Sequence, residues 1–306
     1  MLTRRDWMRA AGGAAIAAAS GRSLAAGAQG TKAPAEPSFC FFSKPLPELG
    51  WSDLGRAVKD AGFDGIDLTV RTGGHVRPER AVEDLPRAID AIAARGLTVP
   101  MITTELTSAE APGARALLEA AARSGVRYFK AGYWRYTTPD VRAHAAGASR
   151  AVEALAALAR ECGIVLGFHN HAAYVGAVLW DIAPAMDRTD ARWAGYYFDP
   201  RHAVADGGGG AWKAATHLVL PRLKMIALKD CVWGQSAQGW RLENCPLGEG
   251  LVDWEWFASA LRTTPFSGPI SVHIEYEIPA ATPAERLDRT LAAARRDLAF
   301  ARRVLG

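Results

Sequence analysis

Eight short apolar runs alternate with longer stretches of helical period from residue 39 onward, and few architectures can absorb such a pattern. The runs are Phe39–Phe42, Gly65–Val70, Thr98–Thr103, Val126–Ala131, Ile164–Phe168, Ala194–Phe198, Met225–Leu228 and Ile270–Ile274. Each is apolar along nearly its whole length, as parallel strands covered on both faces should be. Helix candidates follow them at Trp51–Ala61, Val82–Arg95, Ala111–Arg123, Pro139–Glu161, Trp180–Met186, Ala211–Val219, Trp254–Leu261 and Ala284–Val304. Gly62, Gly96, Gly125 and Gly163 each stand just before the next strand, where a left-handed residue ends a helix. Strict alternation implies a parallel sheet with right-handed crossovers, and eight such units close into a ring. The predicted fold class is α/β, a single-domain (β/α)8 TIM barrel. A doubly wound open sheet is the second choice, because SKPLPELG after the first strand lacks a Gly-rich phosphate turn.

The 306 residues suffice for one barrel plus an extension, since single barrels commonly run to about 250 residues. The extension is N-terminal. Residues 1–28 contain Arg4-Arg5, a weakly apolar Ala/Gly stretch and Ala26-Gly27-Ala28, which together resemble a twin-arginine signal peptide. An Ala-rich amphipathic helix is the other reading, opposed by its glycines and missing polar face. Residues 29–37, QGTKAPAEP, read as a linker, and residues 38–306 as the barrel. The apolar stretch is shorter than the roughly 20 residues a membrane span requires. The expected mature protein is soluble, periplasmic, exported by the twin-arginine route and without a stable membrane anchor. A formal charge of +4 is small for this length and implies no nucleic-acid partner. Cys40, Cys162, Cys231 and Cys245 show no zinc-like spacing and read as core thiols, although an oxidising compartment would permit a Cys231–Cys245 disulfide.

Chemistry in such a barrel sits at the carboxyl ends of the strands. Strand two ends in Arg71, with Gly73-Gly74-His75 beyond; Glu105 follows strand three, and Lys130 closes strand four, ahead of Tyr133 and Trp134. Strand five ends in His169-Asn170-His171, strand six in Asp199-Pro200-Arg201-His202, strand seven in Lys229-Asp230, and strand eight carries His273 and Glu275. Isolated buried charges are costly, so groups converging on one rim must pair with each other, a metal or a polar ligand. Each residue alone also has a plain structural reading: a satisfied strand-end histidine, an Asp199 helix cap, or a rim ion pair at Lys229-Asp230.

The segments GIDLTVRTGGHVRPE, LGFHNH, YYFDPRHAVADGG, LKMIALKDCVW, PLGEGLVDW and GPISVHIEY together resemble the xylose isomerase-like barrel superfamily, often described as sugar phosphate isomerases and epimerases. The resemblance runs from strand two to strand eight. It implies a divalent metal held by Glu on strand five, Asp on strand six, His on strand seven and Glu on strand eight. Asp199 and Glu275 match, while His169 stands where many members have Glu. Ala227 replaces the strand-seven histidine. Two outcomes follow. His169, Asp199 and Glu275 hold Mn²⁺, Zn²⁺, Mg²⁺ or Fe²⁺ as a mixed nitrogen and oxygen site, or Lys229 fills the pocket centre with a permanent positive charge. The metal is the preferred expectation.

The function implied is isomerisation or epimerisation of a sugar or keto-sugar by metal-assisted proton abstraction, with the enediolate stabilised. His169, Glu275, Lys229, Glu105 and Glu249 are the candidate catalytic residues. Arg71, His75, Lys130, His171, His202 and Trp233 are the candidate substrate contacts. A lyase or dehydratase acting on a keto-glycoside is the first alternative, and a non-catalytic sugar-binding barrel that has lost its metal is the second. The partner expected is a small-molecule sugar, and assembly into a homo-oligomer is left open.

Overall fold

The computed structural model describes residues 37–306 apart from Thr138 and Gln238. The signal-peptide reading, and all but the last residue of the linker, lie outside the described residues. Strands and helices alternate along the chain: β1 (Phe39–Phe42), α1 (Trp51–Asp60), β2 (Gly65–Val70), α2 (Ala81–Ala93), β3 (Thr98–Thr104), α3 (Ala114–Arg123), β4 (Tyr128–Lys130), α4 (Val141–Cys162) and β5 (Val165–His169) come first. Then follow α5 (Ala183–Asp187), β6 (Ala194–Phe198), α6 (Pro200–Val219), β7 (Leu223–Leu228), β8 (Asp230–Ser236), β9 (Gly239–Cys245), α7 (Trp254–Leu261), β10 (Ile270–Val272) and α8 (Pro283–Leu305). Eight of the strands close into a parallel barrel in the order β1-β10-β7-β6-β5-β4-β3-β2. Closure is made by Phe39 opposite Ile270 and Phe41 opposite Val272. The open doubly wound sheet is thereby excluded.

Continuous apolar strands bury one set of side chains beneath the helices and the alternate set inside the ring. The interior is layered. Met101, Tyr128, Val165, Met225 and Ala227 form an apolar plug together with the ring of Tyr197. A polar layer is built around the Asp67 carboxylate, which accepts from Thr103 Oγ1 at 2.8 Å, Ser271 Oγ at 2.8 Å and Tyr197 OH at 3.1 Å. Burial raises the Asp67 pKa, and the nearby His273 and those three hydroxyls oppose the rise.

Helix starts are set by side-chain caps. Asp140, Asp253 and Thr282 accept the backbone N–H three residues ahead at the starts of α4, α7 and α8. α6 begins at Pro200, eleven residues ahead of its predicted start at Ala211. Asp199 caps it by accepting from His202 N–H at 3.1 Å, and proline suits the first helical position. The glycine run 207–210 hides this helix from a periodicity search, and the kink falls there, with Gly208 at φ 59°.

The antiparallel hairpin β8–β9 was not anticipated. It projects from the barrel directly after β7, with Trp233 opposite Leu242 and Gln235 opposite Trp240. Its base is anchored by Asp230, which is fully buried and accepts from Trp254 Nε1 at 2.7 Å and from the N–H groups of Cys231, Gly248 and Val252. Asp230 is thus a scaffold residue. Asp230→Ala is expected to cost about 3 kcal/mol or more, because four donors lose a charged acceptor together. Urea unfolding reads this directly, and a loss under 1 kcal/mol would show that the anchor is dispensable. All four cysteines are free thiols, including Cys231 and Cys245 at the root of the hairpin. Among the described residues no helix is long and apolar enough to cross a membrane.

Candidate active site

Strand alternation sends Lys229 to the same side as Ala227, into the barrel. Its ammonium lies 2.9 Å from Asp199 Oδ2, 3.2 Å from Glu275 Oε2 and 3.0 Å from His202 Nε2. Burial alone would lower the Lys229 pKa, but Asp199 and Glu275 outweigh it and raise it above the ordinary lysine value. The same attraction, overcoming burial, holds both carboxylates well below the usual range. Glu275 also pairs with Lys44, contributed by the loop after β1.

The HNH segment at the end of β5 divides three tasks among its polar residues. His169 Nε2 lies 3.2 Å from Asp199 Oδ2, while its Nδ1 faces Tyr133 OH at 2.9 Å. With Asp199 as an ionised acceptor, the neutral ring donates from Nε2 and accepts the tyrosine proton on Nδ1. Asn170 makes a two-way clamp on the next strand, accepting from Asp199 N–H at 2.9 Å and donating to Asp199 C=O at 3.0 Å. His171 packs its ring 4.0 Å from that of His202.

Lys130 contrasts with Lys229. It is 3% exposed and lines the same cavity, yet among the described residues no carboxylate pairs with it, and its amino group rests 3.4 Å from the centroid of the Tyr133 ring. Burial first, and then the charges of Arg71 and Lys229, push its pKa well down. Arg71 also lines the cavity, and its buried Nε has no hydrogen-bond partner among the described residues.

The cavity has a volume of about 90 Å³ and is walled by Arg71, Lys130, Tyr133, His169, Lys229 and Glu275, among others. Lys44 and Glu275 also border an outer cleft of about 280 Å³. Several predicted site residues fall elsewhere. Glu105 is exposed and held by Thr72 N–H at 2.7 Å and Thr72 Oγ1 at 2.6 Å, which lower its pKa. Glu249 lies on an exposed loop with Arg296 as its nearest cation at 4.0 Å. His75 is turned away to bridge Thr69 Oγ1 and Leu46 C=O, and Trp233 sits 54% exposed on the hairpin. Neither carboxylate faces the cavity as a base, and His75 and Trp233 do not line it. Lys44, Tyr133, Asp67 and Tyr197 were not singled out as site residues. A buried acid inside GIDLTV was the one available signal for Asp67, whereas nothing in SKPL marks Lys44.

The donor set does not fit a divalent ion as it stands. Metal–oxygen and metal–nitrogen bonds run to about 2.0–2.2 Å for zinc, and the point where Asp199, Glu275 and His202 converge is taken by the Lys229 ammonium. Among the described residues no three His, Cys, Asp or Glu side chains are disposed to hold a metal.

Burial drives the His169 pKa down to about 3, and it lowers those of His171 and His202 as well, with Lys229 adding to the effect at His202. Rings that stay neutral when folded take up protons on unfolding. Their contribution is therefore intact above the unfolded histidine pKa of about 6.5 and is lost progressively as pH falls toward 3. Urea unfolding should show stability dropping by a few kcal/mol between about pH 7 and about pH 4. A flat profile there would contradict the buried neutral rings.

The chain matches the family model described as "Xylose isomerase-like TIM barrel" over residues 56–303. Among solved structures, it resembles 3-keto-D-glucoside 4-epimerase from E. coli at 18% identity, covering 88% of this chain and 100% of that one with a TM-score of 0.64. It also resembles a probable 3-DHS dehydratase from Bacillus anthracis, at 14% identity over 84% and 97% of the two chains with a TM-score of 0.64. A third, from Mycobacterium smegmatis, is a xylose isomerase-like TIM barrel protein in complex with magnesium, at 19% identity over 85% and 97% with a TM-score of 0.61. At these identities the likeness is one of fold. Comparison with curated protein sequences finds no match.

Proposed function

Because this chain belongs to the xylose isomerase-like TIM barrel family, we propose that it is an isomerase or epimerase that moves a proton at a carbon beside the carbonyl of a keto-sugar. The observation that carries this reading is the pair of lysines in one cavity, Lys229 locked as a cation by two carboxylates and Lys130 desolvated without an acid partner. Removing a proton next to a carbonyl requires a base and a positive region for the oxygen that gains charge. Lys130, in its neutral form, takes the proton, and the ammonium so formed returns a proton to the enolate. The Lys130 amino group lines the cavity, and among the described residues no carboxylate pairs with it. Arg71, whose Nε lacks a partner, is placed to hold the oxyanion, and Lys229 keeps the field at the cavity floor positive. His169 is too weak a base for the step. It holds Tyr133 against Lys130, and so shapes the cavity wall.

The enzymes named in the comparisons suggest the substrate class. An oxidised sugar such as a 3-keto-glycoside places the acidic carbon beside a ketone, and the outer cleft past Glu275 gives its second ring space. That cleft also favours a second reading, in which the same enolate expels a leaving group and the enzyme is a lyase or dehydratase. The twin-arginine leader read in residues 1–28 supports a periplasmic location, where free oxidised sugars are more plausible substrates than sugar phosphates.

The test is incubation of 3-keto-glycosides and ketoses with the protein in D2O, followed by proton NMR. Deuterium at the carbon next to the carbonyl, with inversion, supports the epimerase. Release of the aglycone or of water identifies the lyase. Binding without exchange would leave a sugar-binding barrel and remove the catalytic reading.

A further inference from the structure

A protonated lysine has three N–H donors, and the Lys229 ammonium has three polar atoms within reach, Asp199 Oδ2, Glu275 Oε2 and His202 Nε2. These acceptors come from three separate places: the end of β6, the loop after β10 and the first turn of α6. Two carboxylates and an imidazole nitrogen aimed at one point are a ligand set of the mixed nitrogen and oxygen kind that suits Mn²⁺, Zn²⁺ or Fe²⁺. The point is nevertheless filled by part of the chain itself. We propose that the Lys229 ammonium is a tethered cation standing in place of a divalent metal, and that removing it uncovers a latent metal site formed by Asp199, Glu275 and His202.

Distances favour this assignment. The three atoms stand at 2.9 Å, 3.2 Å and 3.0 Å from the ammonium, within the ordinary range of hydrogen bonds. A metal bound at about 2.0–2.2 Å would have to draw each of them inward by roughly 1 Å, into space the ammonium occupies. The two cations are therefore mutually exclusive. Ala227, one inward step below on β7, is fully buried among Met101, Tyr128, Val165, Tyr197 and Met225. It supplies no ligand from β7, and so Lys229 is the sole group this strand presents at the floor. The exchange also alters the chemistry. A catalytic metal keeps open positions for substrate oxygens, whereas this ammonium is paired with two carboxylates, and contact with substrate passes to Arg71 and Lys130.

The inference is independent of the substrate, and its test reads metal binding, not turnover. Full-length wild-type protein and Lys229→Ala, both stripped with EDTA, are titrated with Mn²⁺ and Zn²⁺ by calorimetry, and their thermal unfolding is followed with and without each metal. The wild type should take up no stoichiometric metal, and its unfolding temperature should not move. Lys229→Ala should bind one ion per chain and unfold about 5 °C or more higher at metal concentrations near 100 times its Kd. Adding His202→Ala to that variant should weaken binding at least tenfold. Lys229→Met fills the space without charge and should remain blind to metal, which guards against a general effect of lost charge. One equivalent of tightly held metal in the wild type would overturn the tethered-cation assignment. Failure of a folded Lys229→Ala to bind either metal would overturn the latent site. Should Lys229→Ala not fold even with metal present, the latent site is equally refuted, because the ion was to replace the ammonium.

Discussion

Lys130→Met is expected to reduce keto-sugar turnover by about 10²- to 10⁴-fold, the usual contribution of a positioned base, and to leave the unfolding temperature unchanged or higher. Both halves follow from one fact. A buried amine without an acid partner contributes little to the folded state, since its charged form is penalised by burial and by the neighbouring Arg71 and Lys229. Methionine keeps the length of the side chain and can lie against the Tyr133 ring, as the amine does now. The loss should fall on kcat more than on KM, because the lone pair acts on the proton in flight. Lys130→Arg should be as inactive as Lys130→Met, since arginine keeps a charge and offers no base. In the wild type the rate should fall on the acid side, as Lys130 becomes protonated. Comparable turnover by Lys130→Met and wild type would remove Lys130 as the base, and a sharp loss of stability would show that its charge is structurally used.

Asp199→Asn is expected to cost about 3–5 kcal/mol, the range for breaking a buried pair from one side. Asparagine preserves the cap, because its side-chain oxygen can still accept from His202 N–H. The penalty therefore reads the loss of Oδ2, whose place is taken by an NH2 group facing the Lys229 ammonium and His169 Nε2. Lys229 would keep one carboxylate, Glu275 at 3.2 Å, which is shared with Lys44. Lys229→Met alone should cost a similar amount by stranding the Asp199 carboxylate, which is fully buried. Combined, the two substitutions remove both charges, and the double variant should be more stable than the sum of the single losses predicts by at least about 2 kcal/mol. Urea unfolding of the four proteins gives that coupling. Simple additivity would mean that the ammonium and the carboxylate do not interact as their 2.9 Å separation requires.

The two experiments separate the lysines by physical state. Lys229 is paired with two carboxylates, and its removal should destabilise the protein. Lys130 is the proposed reactive amine, and its removal should leave stability intact and slow turnover.

Much of this was readable in the amino-acid order. Apolar runs at Phe39, Gly65, Thr98 and onward call for parallel strands buried on both faces, and eight of them in strict alternation with helices favour a closed ring with the polar residues just beyond them gathered at one mouth. The departures have particular causes. The glycines at 207–210 break the helical period and hid the first half of α6. The hairpin strands Asp230–Ser236 and Gly239–Cys245 follow the barrel strand so directly that no turn signal separates them from it.

Sequence by itself determined the barrel, its polar mouth and the placing of Lys229 and Glu275 there, because strand ends and strand alternation state where a residue stands and which side it faces. Tertiary structure alone decided which of the many rim groups meet at the centre and which cation they surround. Depth and distance depend on strand stagger and loop course, and these put Glu105 and Glu249 outside, brought His202 round from the first turn of α6, and set the Lys229 ammonium between Asp199 and Glu275.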